Sequence, residues 1–336
     1  MNFIKLHLSD YLSNPDDYSN YTYNLNNLKE CLDQVDKYPN AIEIVNKVAK
    51  NLIREHLVLY PLKELEAIDF LKLLVKSSSY MMRLYFNPND IFEGQWVEDA
   101  PFEIKKSERK LEFNYHIWYN GILSAVILRD TEAINFFIND YKILHLLERE
   151  HSSRDNHQFN ALFYETFMYY LTNNYTIANE EYHLFNNDFL QTKFNTLFKY
   201  VAELTSKYEL DKSCKYDKLI YDAYPRPSDS QKDTFFYYHY FRLMLPCLHL
   251  LKYLWDNDEV NFIITYEKAI IVHQEYWNKE TDEEGIWEED GYYLKNSPEG
   301  FFSFTLTALA SLAVQKEFKL TTNTDYCPDF LINYHA

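Results

Sequence analysis

Apolar residues return along most of this chain at intervals of three and four, the spacing that gathers them on one side of an α-helix. Between Asn40 and Tyr60 they fall at Ile42, Val45, Val48/Ala49, Leu52 and His56/Leu59. Pro61 interrupts the run, and Leu65, Ile68, Leu71, Val75 and Met82 resume it as far as Phe86. Asn87 to Pro101 carries Pro88, Gly94 and Pro101 without a sustained period, which predicts a loop. Ser107 is a candidate cap for a helix with the stripe Tyr115, Trp118, Ile122, Ala125 and Leu128. Asp130 predicts the N-cap of another, with Ile134, Phe137, Ile138, Tyr141 and Leu144 on one side.

Glu148 to His157 is wholly polar and predicts a connection. It marks the best boundary between an N-terminal helical lobe, residues 1–150, and a C-terminal helical lobe, residues 151–336; one continuous domain is the alternative. Helices are predicted over Phe159 to Leu171 and Ile177 to Tyr208. Ser228, with Gln231 three residues on, forms a capping-box pattern before a long aromatic helix, and Pro246 predicts a kink within it. Phe262, Tyr266, Ala269/Ile270, His273 and Trp277 make one stripe on the helix after that. Ser297-Pro298-Glu299 predicts a further helix start, and Phe301 to Val314 is apolar nearly all round, as in a helix buried inside a bundle. The fold class expected is all-α: a multi-helix bundle or a short solenoid of antiparallel helical pairs, without the fixed period of a standard repeat class.

Composition supports that picture. Only 5 Gly and 10 Pro occur in 336 residues, too few for a fold built on tight turns. A hydrophobic fraction of 47% excludes general disorder. The 31 Tyr and 24 Phe rise together with Asn, Lys and Ile, which reads as compositional drift before adhesion. The formal net charge of −18 sets up a field that repels nucleic acid and anionic membrane and attracts a basic partner. Cys31, Cys214, Cys247 and Cys327 lie far apart and form no CxxC, so they read as reduced thiols. The opening MNFIKLHLSDYL has no apolar signal core, and Tyr240 to Trp255 contains Arg242, Pro246 and Lys252. A cytoplasmic protein is therefore expected, and the oligomeric state is left open.

No GxGxxG, P-loop, HExxH or GxSxG motif occurs. Two Glu-x-x-His pairs, Glu148/His151 and Glu180/His183, have the spacing of a di-iron carboxylate site, with Glu165 and Glu203 as the remaining candidate ligands. His151 lies in polar SSRDNHQ surroundings, and acids are common enough for chance pairs. His145, His151 and His157 recur every six residues and do not share a helical face. His273, on an apolar stripe, reads as a core histidine. The expectation is no catalytic residue, no metal and no cofactor. The alternatives are a di-metal helical enzyme and a helical interaction scaffold.

Glu280 to Asp290 holds seven acids, one Trp and no base. Asp282, Glu283, Glu284, Trp287, Glu288, Glu289 and Asp290 are the candidate partner-binding residues. Acids would speed the encounter with a basic protein and Trp287 would anchor it. A solvated connection is the plainer reading, and the spacing does not match a calcium loop.

Three segments carry a resemblance: His273-Gln-Glu-Tyr-Trp277, the run from Ser297-Pro-Glu-Gly-Phe-Phe-Ser-Phe through Ala313, and Asp325-Tyr-Cys-Pro-Asp-Phe-Leu331. Ile127-Leu-Arg-Asp130 is a weaker echo. From about Phe235 to Asn333 the chain resembles the immunity protein 49 family of bacterial polymorphic-toxin systems. The resemblance implies an all-helical antidote that binds a cognate toxin protein and protects the producing cell. It carries no catalytic residues with it. A nuclease-like toxin would present a basic cleft, which acidic complementarity would suit.

Overall fold

Helical periodicity becomes helix over most of the chain. The computed structural model describes residues 2–4, 19–34, 41–86, 92–95, 101–104, 115–138, 158–175, 187–209, 231–277 and 300–335. Eleven helices occur among these residues: α1 (Ser19–Gln34), α2 (Ala41–Leu59), α3 (Glu64–Phe86), α4 (Tyr115–Ile127), α5 (Thr131–Ile138), α6 (Gln158–Asn174), α7 (Asn187–Glu209), α8 (Gln231–Asp256), α9 (Glu259–Trp277), α10 (Phe304–Gln315) and α11 (Asp329–Ile332). The strands are short: β1 (Asn2–Ile4), β2 (Phe92–Gln95), β3 (Pro101–Ile104) and β4 (Thr322–Thr324). The fold is all-α, as the periodicity predicts.

The chain divides into two compact units. One comprises Met1–Phe137, Leu294–Glu317 and Thr321–Ala336; the other comprises Ile138–Tyr293 and Phe318–Leu320.

In the first unit α1 packs on α2, α2 on α3, α3 on α4, and α4 on α10. The expected stripe of α2 is buried, with Ile42, Val45, Ala49 and Leu52 fully so. On α3 the stripe holds at Ile68, Leu71, Val75 and Met82, but Leu65 is 77% exposed. Leu65 lies in the first turn of α3. The crossing of α2, α3 and α4 is polar and tight. Asn46 Nδ2 donates to Ser77 Oγ at 2.9 Å and Ser78 Oγ at 2.8 Å, and Ser78 Oγ donates to the Ile117 carbonyl at 2.8 Å. Every member is buried and bonded, as a buried polar network must be to avoid a desolvation cost.

Chain segments distant in sequence close this unit. β1 pairs in parallel with β4, placing Asn2 opposite Thr322 and Ile4 opposite Thr324. The stretch expected to be a loop contains β2, which pairs antiparallel with β3, Phe92 opposite Ile104 and Gln95 opposite Pro101. Gly94 and Pro101, read as loop signals, lie within the paired strands themselves. The helix expected to start at Ser297 starts later, at Phe304. Ser303 is its cap, accepting from Leu306 N at 3.4 Å, and is held extended because its own N–H donates to the Tyr326 carbonyl at 3.0 Å. Ser297 to Glu299 themselves lie outside the described residues, as do Ser107 and the polar stretch from Glu148 to His157.

In the second unit α6 packs against α7 and α8, and α8 against α9. Trp255 of α8 stacks on Phe194 of α7 at 3.9 Å between ring centroids, and its indole N–H donates to Gln191 Oε1 at 3.0 Å. α8 continues through Pro246 to Asp256. The whole expected stripe of α9 is buried: Phe262, Tyr266, Ala269, Ile270, His273 and Trp277.

Candidate functional site

Asp282, Glu283, Glu284, Trp287, Glu288, Glu289 and Asp290 lie outside the described residues, so their part in partner binding rests on the sequence. Of the candidate metal ligands, Glu148, His151, Glu180 and His183 also lie outside. Glu165 is buried in α6, and Glu203 belongs to α7. No cluster of three or more His, Cys, Asp or Glu suited to a metal ion occurs among the described residues. His145, His151 and His157 fall outside; His273 is buried on α9, its ring 6.2 Å from that of Trp277. Cys31, Cys247 and Cys327 are buried thiols, and Cys214 is outside. No helix among the described residues is long and apolar enough to cross a membrane.

The Ile127–Asp130 segment reaches the stretch that follows Asp325–Leu331. α4 ends in a Schellman turn: the Arg129 N–H donates to the Val126 carbonyl at 3.1 Å and the Asp130 N–H to the Ala125 carbonyl at 2.9 Å. The turn requires left-handed backbone at Arg129, φ 53°, where glycine is usual. The Arg129 guanidinium then reaches the C-terminal segment, donating to the Ile332 carbonyl at 3.1 Å and lying 3.0 Å from His335 Nδ1. Asp130 starts α5 directly, its Oδ1 accepting from Ala133 N at 2.9 Å, which is the cap expected from sequence. The second unit repeats the corner. Asn257 has φ 56°, Asp258 N–H donates to the Tyr253 carbonyl at 2.8 Å, and Asp258 Oδ1 accepts from Asn261 N at 3.1 Å. Hydrogen bonds from Asn261 hold the Asp258 carboxyl below its ordinary range.

A polar cluster not foreseen from sequence joins α1 to α2. His56, fully buried, has Nε2 3.0 Å from the Lys63 carbonyl and Nδ1 2.8 Å from the Tyr21 hydroxyl. A carbonyl can only accept, so Nε2 carries the proton and the neutral ring accepts from Tyr21 at Nδ1. Burial lowers the proton affinity of His56 more than the Lys63 carbonyl raises it, so the Glu66 carboxylate 3.8 Å away faces an uncharged ring. Burial also pushes the Tyr21 hydroxyl up to about 12. Both ring nitrogens and the phenol proton are therefore committed to holding helices together, and the cluster has no general base to offer. Beside it, Glu55 is 1% exposed, and both its oxygens accept from Asn24 Nδ2, at 3.2 and 3.1 Å. Its carboxyl is pushed up to about 7, chiefly by burial, with Asn24 and Arg54 opposing.

Apolar side chains reach solvent in both units. Tyr23, Ile44, Leu62 and Leu65 do so in the first, and Leu62 at the α2–α3 turn is 95% exposed. Val260, Ile264 and Ile271 do so on α9, spaced four and seven residues apart and therefore on the side away from the buried stripe.

No curated protein and no solved structure matches the chain. A family model does: that of immunity protein 49, over residues 64–331. The matched range holds the Arg129 corner, ends one residue before the Ile332 carbonyl that Arg129 clasps, and covers well over half of the sequence. The chain belongs to the immunity protein 49 family.

Proposed function

We propose that this protein neutralises a cognate toxin domain by binding it and covering its active cleft, without catalysing a reaction. The family match over residues 64–331 carries the proposal. The physical character of the chain supports it. A net charge of −18 suits a basic partner, and the acidic segment of Asp282, Glu283, Glu284, Trp287, Glu288, Glu289 and Asp290 supplies charge with an aromatic anchor. If the partner holds phosphates, as a nuclease domain does, its cleft is positive and the match is direct. The protein acts in the cytoplasm, where it meets the toxin of its own cell or its kin, and it needs no metal or cofactor. Co-expression tests the proposal. Cells making the toxin domain encoded beside this gene are expected to grow when the protein is present in soluble form. Continued killing in its presence contradicts the proposal.

A further inference from the structure

α9 is apolar on two sides. One side buries Phe262, Tyr266, Ile270 and Trp277. The other carries Val260, Ile264 and Ile271, which are 67%, 46% and 39% exposed. Intervals of four and seven residues keep these three within about 40° of one another around the helix, in a line about 16 Å long. Asn261 and Lys268, both exposed, border it. Such side chains gain nothing locally. Val and Ile are weaker helix formers than Ala, Leu, Glu or Lys, and exposure leaves their apolar area in water. Single exposed apolar residues are ordinary, and those of the first unit are dispersed over α1, α2, the α2–α3 turn and α3. Tyr23, Ile44 and Leu62 among them also precede the range matched by the family model, which contains all of α9. Three in register on one helix have the spacing of an anchor set that seats against an apolar surface of another protein.

Charge decides what can cover the line. Asp258 stands at its N-terminal end, its carboxylate accepting from the Asn261 backbone N–H at 3.1 Å and from the Asn261 side chain at 2.6 Å. From the other end, at Trp277, the chain runs within three residues into the seven acids of Glu280 to Asp290. Both ends are acidic. A second copy docking by its own α9 would set acid against acid, whether parallel or antiparallel, and an anionic lipid surface would be repelled by the same charge. We propose that the line of Val260, Ile264 and Ile271 is the apolar centre of the toxin-binding surface, and that it receives apolar side chains flanked by Lys or Arg on the toxin domain. This rests on the toxin-neutralising reading for the partner's identity and adds the surface that makes the contact. The acids speed the encounter, and the desolvated centre slows departure.

Stopped-flow binding of the purified toxin domain encoded beside this gene tests the placement. Ile264→Ser combined with Ile271→Ser should weaken binding about thirtyfold, almost wholly through faster dissociation, with the salt slope of association kept. Val260→Lys, at the most exposed of the three positions, should weaken it about tenfold by setting a cation against the basic rim of the partner. Ile264→Leu with Ile271→Leu keeps the line apolar and should bind within about threefold of the unaltered protein, as should Leu62→Ser. Retained affinity in both the serine pair and Val260→Lys overturns the proposal. So does an unaltered protein that dimerises and in which the serine pair abolishes the dimer but not toxin binding, since the line then belongs to a second copy. Failure of the unaltered protein to bind the toxin domain overturns the toxin reading and this one together, whereas binding that survives every change on α9 overturns only the placement of the surface.

Discussion

Arg129 bonds the main-chain carbonyl of Ile332 across more than half the sequence, from a backbone conformation that an arginine adopts at a cost. Left-handed φ costs a non-glycine residue about 1 kcal/mol. The guanidinium offsets that by tying the end of α4 to the C-terminal segment. Two opposite effects then separate by mutation. Arg129→Ala keeps the strained backbone and loses the bond, and should destabilise the first unit by about 2 kcal/mol. Arg129→Gly loses the bond but relieves the strain, and should cost about half as much. Urea midpoints at constant m-value would show the order, and exchange at Leu331 to Asn333 should rise in both variants.

Gly121 of α4 is closely packed. A Cβ there would lie 2.5 Å from Phe137 Cζ and 2.8 Å from Ser78 Oγ, both buried. Alanine favours a helix over glycine by about 1 kcal/mol, yet overpacking costs about 1–3 kcal/mol. Gly121→Ala should therefore be neutral to destabilising, by up to about 2 kcal/mol, and Gly121→Val should fail to fold. Thermal unfolding decides it, and a rise in Tm for alanine would mean that α3 and α4 move apart freely.

Asn46 serves two serines of α3 at once, Ser77 and Ser78. Asn46→Ala should destabilise by about 2–3 kcal/mol, since it opens a cavity and removes donors from buried oxygens. Adding Ser78→Ala should cost less in that background than in the original protein, because the two share one contact. Full additivity in the double-mutant cycle would contradict a coupled network.

Much of the helical body is legible in the sequence. The α9 stripe from Phe262 to Trp277 and the Asp130 cap both rely on neighbours within one or two turns, and periodicity and capping chemistry are signals of that range. What escapes is what depends on distant chain. Nothing near Thr322 announces Asn2 as its strand partner, and nothing near Arg129 announces Ile332. Ser303, rather than Ser297, caps α10 because its N–H is held by the Tyr326 carbonyl, a partner no local pattern reveals. Glu55 is buried and bonded to Asn24, a partner thirty-one residues away that no local pattern reveals. The candidate interface is legible as composition only: the acids and Trp287 can be named, while the surface they form cannot be derived from spacing.

That interface has a kinetic signature. Trp287→Ala combined with neutral replacements at Glu283, Glu284, Glu288 and Glu289 should weaken binding of the toxin domain, with an association rate less sensitive to salt. Stopped-flow association at several ionic strengths measures both. Unchanged affinity and salt slope would place the contact surface elsewhere on the molecule.

The central claim is neutralisation by occupancy, and a titration tests it most directly. Purified toxin domain, assayed on its own substrate, is mixed with increasing amounts of this protein. Activity should fall in proportion to the amount added, reach zero near one equivalent, and return when the complex is dissociated. Full toxin activity at saturating protein, or permanent inactivation by far less than one equivalent, would contradict it.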